Sequence, residues 1–562
     1  MRFAGVGLSL ALAAVACSGT SKPKGAQDSA GAGTLQGHTG GTVNVLMAAP
    51  FAHLDPQRIY GGSAANFSRL YARTLTTYRP VPGVAGTDLV PDLATTLGSA
   101  SDDAKTWKFT LRPGITFEDG SAITSSDVRY GVERSFAANF AEGAPYARQY
   151  VDCGGYSGPY ADRSGRGCPA IETPDDRTVV FHLNRSMGSF PYLVALPIFS
   201  PVPKAKDTGA GYDNRPFSSG PYRFQGARRG GSVVLVRNDR WDPRTDGVRP
   251  AYPDAFRVTA GLNPAVIDQR LIADSAADQT AIMLGGSVAP QDLAKVLLDP
   301  AVMPRSDAGF DNCNRYLALN TTRPPLNKVK VRQAINYAVD KEAYRTALGG
   351  RFVGDLASTI VAPSLVGHRD FDRYRATPTG DVDRARQLLA EAGVAGGFPV
   401  TLQTVDKGTG LSTAVAIQRA LGRVGISVRL DRVAAAAYYE RVGTTATEQQ
   451  MAFYGWCPDY PFAGAVLPSL FDGRTISSTG NINVSQYDNT GINTRLDEIA
   501  RMTNPRKIAA AYGDLDEAIM TDAPIVPLLN SRSRVLHGSK VKGAYFMAAL
   551  GGGYDVVTLS VA

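Results

Sequence analysis

Beyond Cys313 the chain keeps one rhythm, and that rhythm restricts its fold more than any other feature. Residues 316–319 alternate as a strand, then Val331, Ile335 and Ala338 line one face of a helix. Asp381 caps a second helix that carries Ala385, Leu388, Leu389 and Ala392 and stops at Gly393. Residues 400–405 (strand), 411–422 (helix), 426–430 (strand) and 451–456 (strand) follow in order. Strand, helix and strand at this spacing predict an α/β lobe with helices laid on its sheet.

The earlier part of the chain reads differently. Residues 42–47 alternate as a strand and are broken at Leu54-Asp55-Pro56. Residues 107–112 alternate again, and after the turn Pro113-Gly114 a second short strand is expected to end at Asp119-Gly120, giving a hairpin-rich region. Thr124 with Asp127 three residues on is a capping-box pattern, and Val128, Val132 and Phe136 at spacing four give its helix one apolar face. Residues 178–183 and 233–236 read as further strands. No internal repeat is present.

Composition enters to exclude classes. With 44% hydrophobic and 20% charged residues of mixed sign, the bulk of the 562 residues is neither disordered nor coiled coil. After residue 16 no run approaches the ~18 apolar residues of a membrane-spanning helix, so a channel or permease is excluded. The net charge of +8 does not mark a nucleic-acid binder, because Lys and Arg are scattered among Asp and Glu instead of clustering on one element.

The first residues read as an address. Met1-Arg2, an uncharged stretch from Phe3 to Ala16 and small residues before Cys17 describe a secretory signal peptide. The Cys directly after those small residues resembles a bacterial lipobox, which implies a diacylglycerol on Cys17 as the mature N-terminus. Residues 17–40, rich in Gly, Ser, Thr, Ala and Lys, then read as a flexible tether to the outer face of the cell membrane. Outside the cytoplasm thiols tend to be oxidised. Cys153, Cys168, Cys313 and Cys457 allow three connectivities. Cys153 and Cys168 flank a Gly-, Ser- and Pro-rich stretch as a bridged surface loop would, and pairing them leaves Cys313 with Cys457. No pair has CxxC spacing and no His lies near any of the four, so a zinc site has no support.

Catalytic patterns are mostly absent. The chain has no GxxxxGK[ST], HExxH or GxSxG. Gly408-Thr-Gly410 lacks the third glycine and the acidic partner of a dinucleotide site and reads as a loop. The two S-x-x-K matches, at Ser21 and Ser539, have neither SDN nor KTG to accompany them. His53 follows the first strand, where it either faces a cleft or serves as a structural side chain.

Five strings in collinear order carry a resemblance: FTLRPGITFEDGSAITSSDVRYGVERSF, SSGPYRF, LALNTTRPPLNKVKVRQAINYAVDKEAY, GWCPDYPFAGAVLPSLF and DAPIVPLLN. They resemble the family 5 extracellular solute-binding proteins of ABC transporters, the peptide- and nickel-binding group. The resemblance implies an α/β Venus-flytrap protein of two lobes, with an extra subdomain inserted in the first. Residues 41–78, 199–312 and 530–562 would form the core of lobe I, 79–198 the insert and 313–529 lobe II. It further implies a monomeric binding protein, not an enzyme, that needs no cofactor or metal and closes by hinge motion over an oligopeptide destined for a cognate ABC permease. A nickel chelate, a sugar or another small solute is the alternative cargo, and a secreted enzyme the remote one.

Within Gly455-Trp456-Cys457-Pro458-Asp459-Tyr460, the resemblance assigns Asp459 to the peptide α-ammonium and Gly455 to a backbone contact with an added strand. Trp456, Tyr460 and His53 complete the candidate ligand-binding residues. The same relatives join this Cys to one at the lobe crossing, which matches Cys313. Two positions depart from the pattern. Pro461-Phe462-Ala463 replaces the Asp-Pro of many relatives, and Asn493 stands where they often have Asp.

Overall fold

Alternation at the start of the chain becomes a buried strand: in Thr42–Leu46, Val43 and Val45 are fully buried while Thr42 and Asn44 are half-buried. The computed structural model describes residues 37–226 and 232–562. The expected signal peptide (1–16), Cys17 and the tether up to residue 36 therefore lie outside the described residues. Thr42–Leu46 is flanked in parallel by Ala255–Thr259 and Ala281–Met283, and Val233–Arg237 and Tyr222–Phe224 extend the sheet antiparallel to five strands. The end of the chain returns to this body. Asn66 donates to the Tyr554 carbonyl at 2.7 Å, Arg69 pairs with Asp555 at 2.6 Å, and Val541, Val557 and Leu559 fill the same core.

A second sheet has four antiparallel strands in the order Ser99–Ser101, Thr106–Thr110, Thr178–His182, Ile171–Asp175. Phe109, Phe181, Phe190 and Phe199 meet beneath it at centroid distances of 5.5–6.3 Å. Burying each such ring is worth roughly 1.5–3 kcal/mol. The helix Ser125–Arg134 starts on the Thr124/Asp127 capping box. The short strand expected to end at Asp119-Gly120 is a turn instead, closed by Phe117 N–H donating to the Ser121 carbonyl at 2.9 Å, with one isolated bridge from Thr116 to Ala122. Turn residues at both ends leave too few positions between them for a ladder. Cys153 and Cys168 are joined at the edge of this region.

The third sheet has six strands, ordered Gly354–Leu356, Ile525–Leu536, Ser306–Leu319, Met451–Trp456, Phe398–Val405, Ile426–Val433. The helices Val329–Ala338, Val382–Glu391 and Gly408–Gly422 cover it through Ile335, Leu388 and Ile417. Gly408 opens the last helix, so Gly408-Thr-Gly410 is helical rather than a loop. Ser306–Leu319 and Ile525–Leu536 are the long members. They pair from Ser306 against Leu536 to Ala318 against Ile525, with a register shift between Phe310 and Asn314. Their far ends reach the five-stranded body, where His537 bridges to Ile282.

The four-stranded region also touches the third body: Gly188 N–H donates to the Ala500 carbonyl at 2.7 Å. A Cβ at Gly188 would stand 1.7 Å from the Met502 carbonyl oxygen, so only glycine permits this approach. Among the described residues no helix is long and apolar enough to cross a membrane.

Candidate functional site

The register shift in Ser306–Leu319 brings Cys313 beside the end of Met451–Trp456, and a disulfide joins Cys313 to Cys457 with Cα atoms 4.1 Å apart. Trp456 sets the chain direction here. Its backbone N–H donates to Asn314 Oδ1 at 3.0 Å and its indole N–H to the Ala465 carbonyl at 2.8 Å. Gly455 lies opposite Arg315, and a Cβ on it would come within 2.7 Å of the Asn314 carbonyl oxygen.

Along its other edge, Met451–Trp456 pairs with Phe398–Val405 only at Met451 and Ala452. The Trp456 N–H faces Ser306–Leu319, so by strand alternation the N–H and C=O of Gly455 point to the open edge. The Phe453 carbonyl, one repeat back, is already taken by the Tyr438 hydroxyl at 2.8 Å.

Past the disulfide the chain turns at Pro458 and Asp459, and Tyr460 anchors the turn. Tyr460 is 2% exposed and packs against Tyr146 and Tyr192 with centroids 5.9 and 6.0 Å away. It belongs to the core and does not line the cavity, in contrast to the ligand contact that the sequence suggests. An aromatic ring buried on every side supports Asp459 without touching what Asp459 faces.

The Asp459 carboxylate accepts hydrogen bonds from the hydroxyls of Tyr146 and Tyr60, the latter at 3.2 Å. Burial pushes its pKa up, and the two phenol hydrogen bonds only partly oppose this. Burial beside the carboxylate also pushes the Tyr60 hydroxyl up to about 12. Among the described residues no Lys, Arg or His forms an ion pair with Asp459. It borders a cavity of about 460 Å³ lined by Tyr60 and the first turn of the helix Gly62–Ser68, by Gly285 and Gly286, by Asp311 and Ser533, and by Leu550 to Gly553. Sequence reasoning missed Tyr60, Tyr146, Asp311 and the glycine runs. The runs at 285–286 and 551–553 were visible as strings, and Asp311 stands two residues before Cys313 as Asp459 stands two after Cys457.

His53 is not brought to this cavity. Its Nδ1 lies 2.9 Å from Asp213 and its Nε2 3.4 Å from Glu142, which also pairs with Arg58. This ionic cluster is part of the first body, and His53 serves there as a structural side chain. Among the described residues no group of three or more His, Cys, Asp or Glu side chains is placed to hold a metal ion.

The chain is similar to known proteins over most of its length. The sequence model of the family described as "Bacterial extracellular solute-binding proteins, family 5 Middle" matches residues 88–478. A solved structure described as "Clavulanic acid biosynthesis oligopeptide binding protein 2" is similar at 34% identity and a TM-score of 0.85, covering 93% of this chain and 96% of that one. Heme-binding protein A of Haemophilus influenzae is 27% identical over 480 residues, 81% of this chain and 82% of its own length. A glutathione-binding protein of Salmonella paratyphi A is 24% identical over 526 residues, 91% and 93% of the two chains.

Proposed function

The chain belongs to the bacterial extracellular solute-binding proteins of family 5, and on that premise we propose that it captures short peptides by their free amino end and passes them to a cognate ABC permease. Asp459 receives the α-ammonium, and the backbone of Gly455 pairs with the peptide as an added strand. The observation that carries this reading is the Asp459 carboxylate itself. It is half-buried at the edge of a cavity, answered by two phenols and paired with no cation among the described residues. A carboxylate in that state gains most from a ligand that brings a positive charge and several hydrogen-bond donors. The open edge at Gly455 offers main-chain pairing that does not read side chains, which suits a carrier of varied peptides.

Residues 41–78, 199–312 and 530–562 act as lobe I, 79–198 as its insert and 313–529 as lobe II, a division supported by the three sheets and by the two long strands that cross between bodies. The receptor works as a monomer held to the membrane through lipid on Cys17. In cells, Cys17→Ala moves it from the membrane fraction to the soluble one, because acyl burial contributes ~0.8 kcal/mol per CH₂. Continued sedimentation with membranes overturns the anchor.

The test of the ligand is a four-member calorimetric cycle. Removing one partner of an enclosed ion pair costs on the order of 3–5 kcal/mol, about 100- to 1,000-fold or more in affinity. Asp459→Asn weakens free-amine peptides by that order, whereas N-acetylated peptides bind wild type poorly and lose little further in the variant. Equal binding of free and acetylated peptides to wild type, or simple addition of the two losses, rejects Asp459 as the amine acceptor. Native mass spectrometry of protein taken from cells checks the cargo: a peptide ladder supports this reading, and one discrete non-peptide solute replaces it.

A further inference from the structure

The cavity beside Asp459 holds a second carboxylate. Asp311 and Asp459 flank the Cys313–Cys457 disulfide, each two residues from its cysteine, and both line the same space. Asp311 accepts the Cys313 N–H at 3.1 Å and the Ser533 hydroxyl at 3.2 Å. Burial raises its pKa as it does for Asp459. Arg315 is the cation that acts on Asp311 from outside, but its Nε is directed to the Ser531 hydroxyl at 3.2 Å and the residue does not reach the cavity.

The rest of the wall adds no positive charge. The lining contains no Lys, Arg or His, and seven of its residues are glycines, so much of the remaining surface is bare backbone. A Cβ at Gly61 or Gly286 would meet nothing within 4 Å, which leaves room next to the two carboxylates. A ligand that brought only an α-ammonium to Asp459 would leave Asp311 with no counter-ion inside the cavity.

Resting on the peptide reading above, we propose that this cavity selects peptides carrying a second cation near the amino end, an Arg or Lys at the first or second position whose side chain lies against Asp311. The ammonium at Asp459 sets the register, and the side-chain cation supplies selectivity, because a charge-assisted hydrogen bond in a closed cleft contributes more than a neutral one.

Citrulline, the neutral isostere of arginine, isolates the charge. Calorimetry on the full chain compares Arg-Ala-Ala with Cit-Ala-Ala and Ala-Arg-Ala with Ala-Cit-Ala. In at least one pair the arginine member binds wild type roughly 10- to 100-fold tighter. Asp311→Asn, which keeps an oxygen for Cys313 and Ser533, lowers that ratio to about threefold or less. Gly286→Lys places a tethered ammonium in the same cavity and lowers it too, so a decision is reached even if Asp311→Asn fails to fold. Equal binding of arginine and citrulline peptides to wild type overturns the proposal, as does a preference that survives both variants. N-acetyl-Arg-Ala-Ala separates the two readings. If a free amine is required but charge on the side chain is ignored, only this inference fails. If no peptide binds, or the acetylated one binds as well as the free one, both fail.

Discussion

Asp92 is a carboxylate fully withdrawn from water and Asp459 one partly withdrawn, and the chain treats them in opposite ways. Asp92 accepts from Arg73 at 2.8 Å and Arg249 at 2.7 Å, and Arg249 also pairs with Asp246 at 3.0 Å, all four side chains being 0–2% exposed. Burial raises the Asp92 pKa, but the two guanidinium groups outweigh it and hold the carboxyl at about 2. Asp459 is only half-buried, but its partial desolvation is opposed by phenols alone, and its pKa goes up. A charge neutralised within the chain ties segments together permanently. A charge left without a counter-ion is instead a standing cost to the folded chain.

Four measurements test this contrast, beginning with the largest effect. Asp92→Asn leaves two buried guanidinium groups short of an anion and lowers stability by about 3–5 kcal/mol in urea unfolding. A loss below about 1 kcal/mol would show that the network is not an internal neutralisation at all. Next, acid unfolding reports the sign. Because the folded Asp92 pKa is depressed, its stabilisation is complete above the ordinary value of 3.8 and is lost as pH falls toward about 2, worth about 2 kcal/mol. Wild type should lose that increment between about pH 4.5 and 1.5, and Asp92→Asn should not. A parallel decline in the two proteins removes Asp92 as the cause.

Asp459→Asn goes the other way and is smaller. A raised folded pKa means that the ionised group burdens the unliganded protein increasingly as pH rises above 3.8, so the neutral amide keeps or raises stability at pH 7. Thermal unfolding of the unliganded variant measures this, and a drop of more than about 1 kcal/mol would move Asp459 into the class of Asp92. Smallest is Tyr60→Phe, which removes one hydroxyl donor from a half-exposed ring and costs about 0.5 kcal/mol. A loss several times larger would mean that Tyr60 holds the fold and not only the carboxylate.

How far the sequence foretold this arrangement depended on the range of the interactions. The capping box at Thr124 and the Asp381 N-cap are local devices and were read directly, the latter with Asp381 accepting from the Arg384 N–H at 2.9 Å. Four strands of the six-stranded sheet were legible from the strand-and-helix rhythm, but Gly354–Leu356 and Ile525–Leu536 were not read as strands, and Ser306–Leu319 was recognised only in its last four residues. The half from Ser306 to Asp311 is half-buried throughout, so no alternation marks it. Asp459 is singled out by a short motif around Cys457. Its partner Tyr60 lies 399 positions earlier and its partner Tyr146 lies 313 earlier, distances over which no local pattern carries information. His53 shows the converse: its neighbourhood was set by Asp213, 160 residues on, which draws it into an ionic cluster away from the cavity.

The return of the chain's end to its first body has a consequence for the order of assembly during synthesis. The four-stranded sheet lies within residues 99–182 and its disulfide spans only 15 positions, so this unit can close early on local contacts. The five-stranded sheet has all its strands by Met283, yet Val535, Val541, Tyr554, Val557 and Leu559 complete its core, and Asp555 supplies the charge beside Arg69. The first strand to leave the ribosome therefore belongs to the body sealed last, and its apolar face must wait for nearly the whole remaining chain. For that interval the nascent protein exposes a half-covered sheet, the state in which holding by a chaperone matters most.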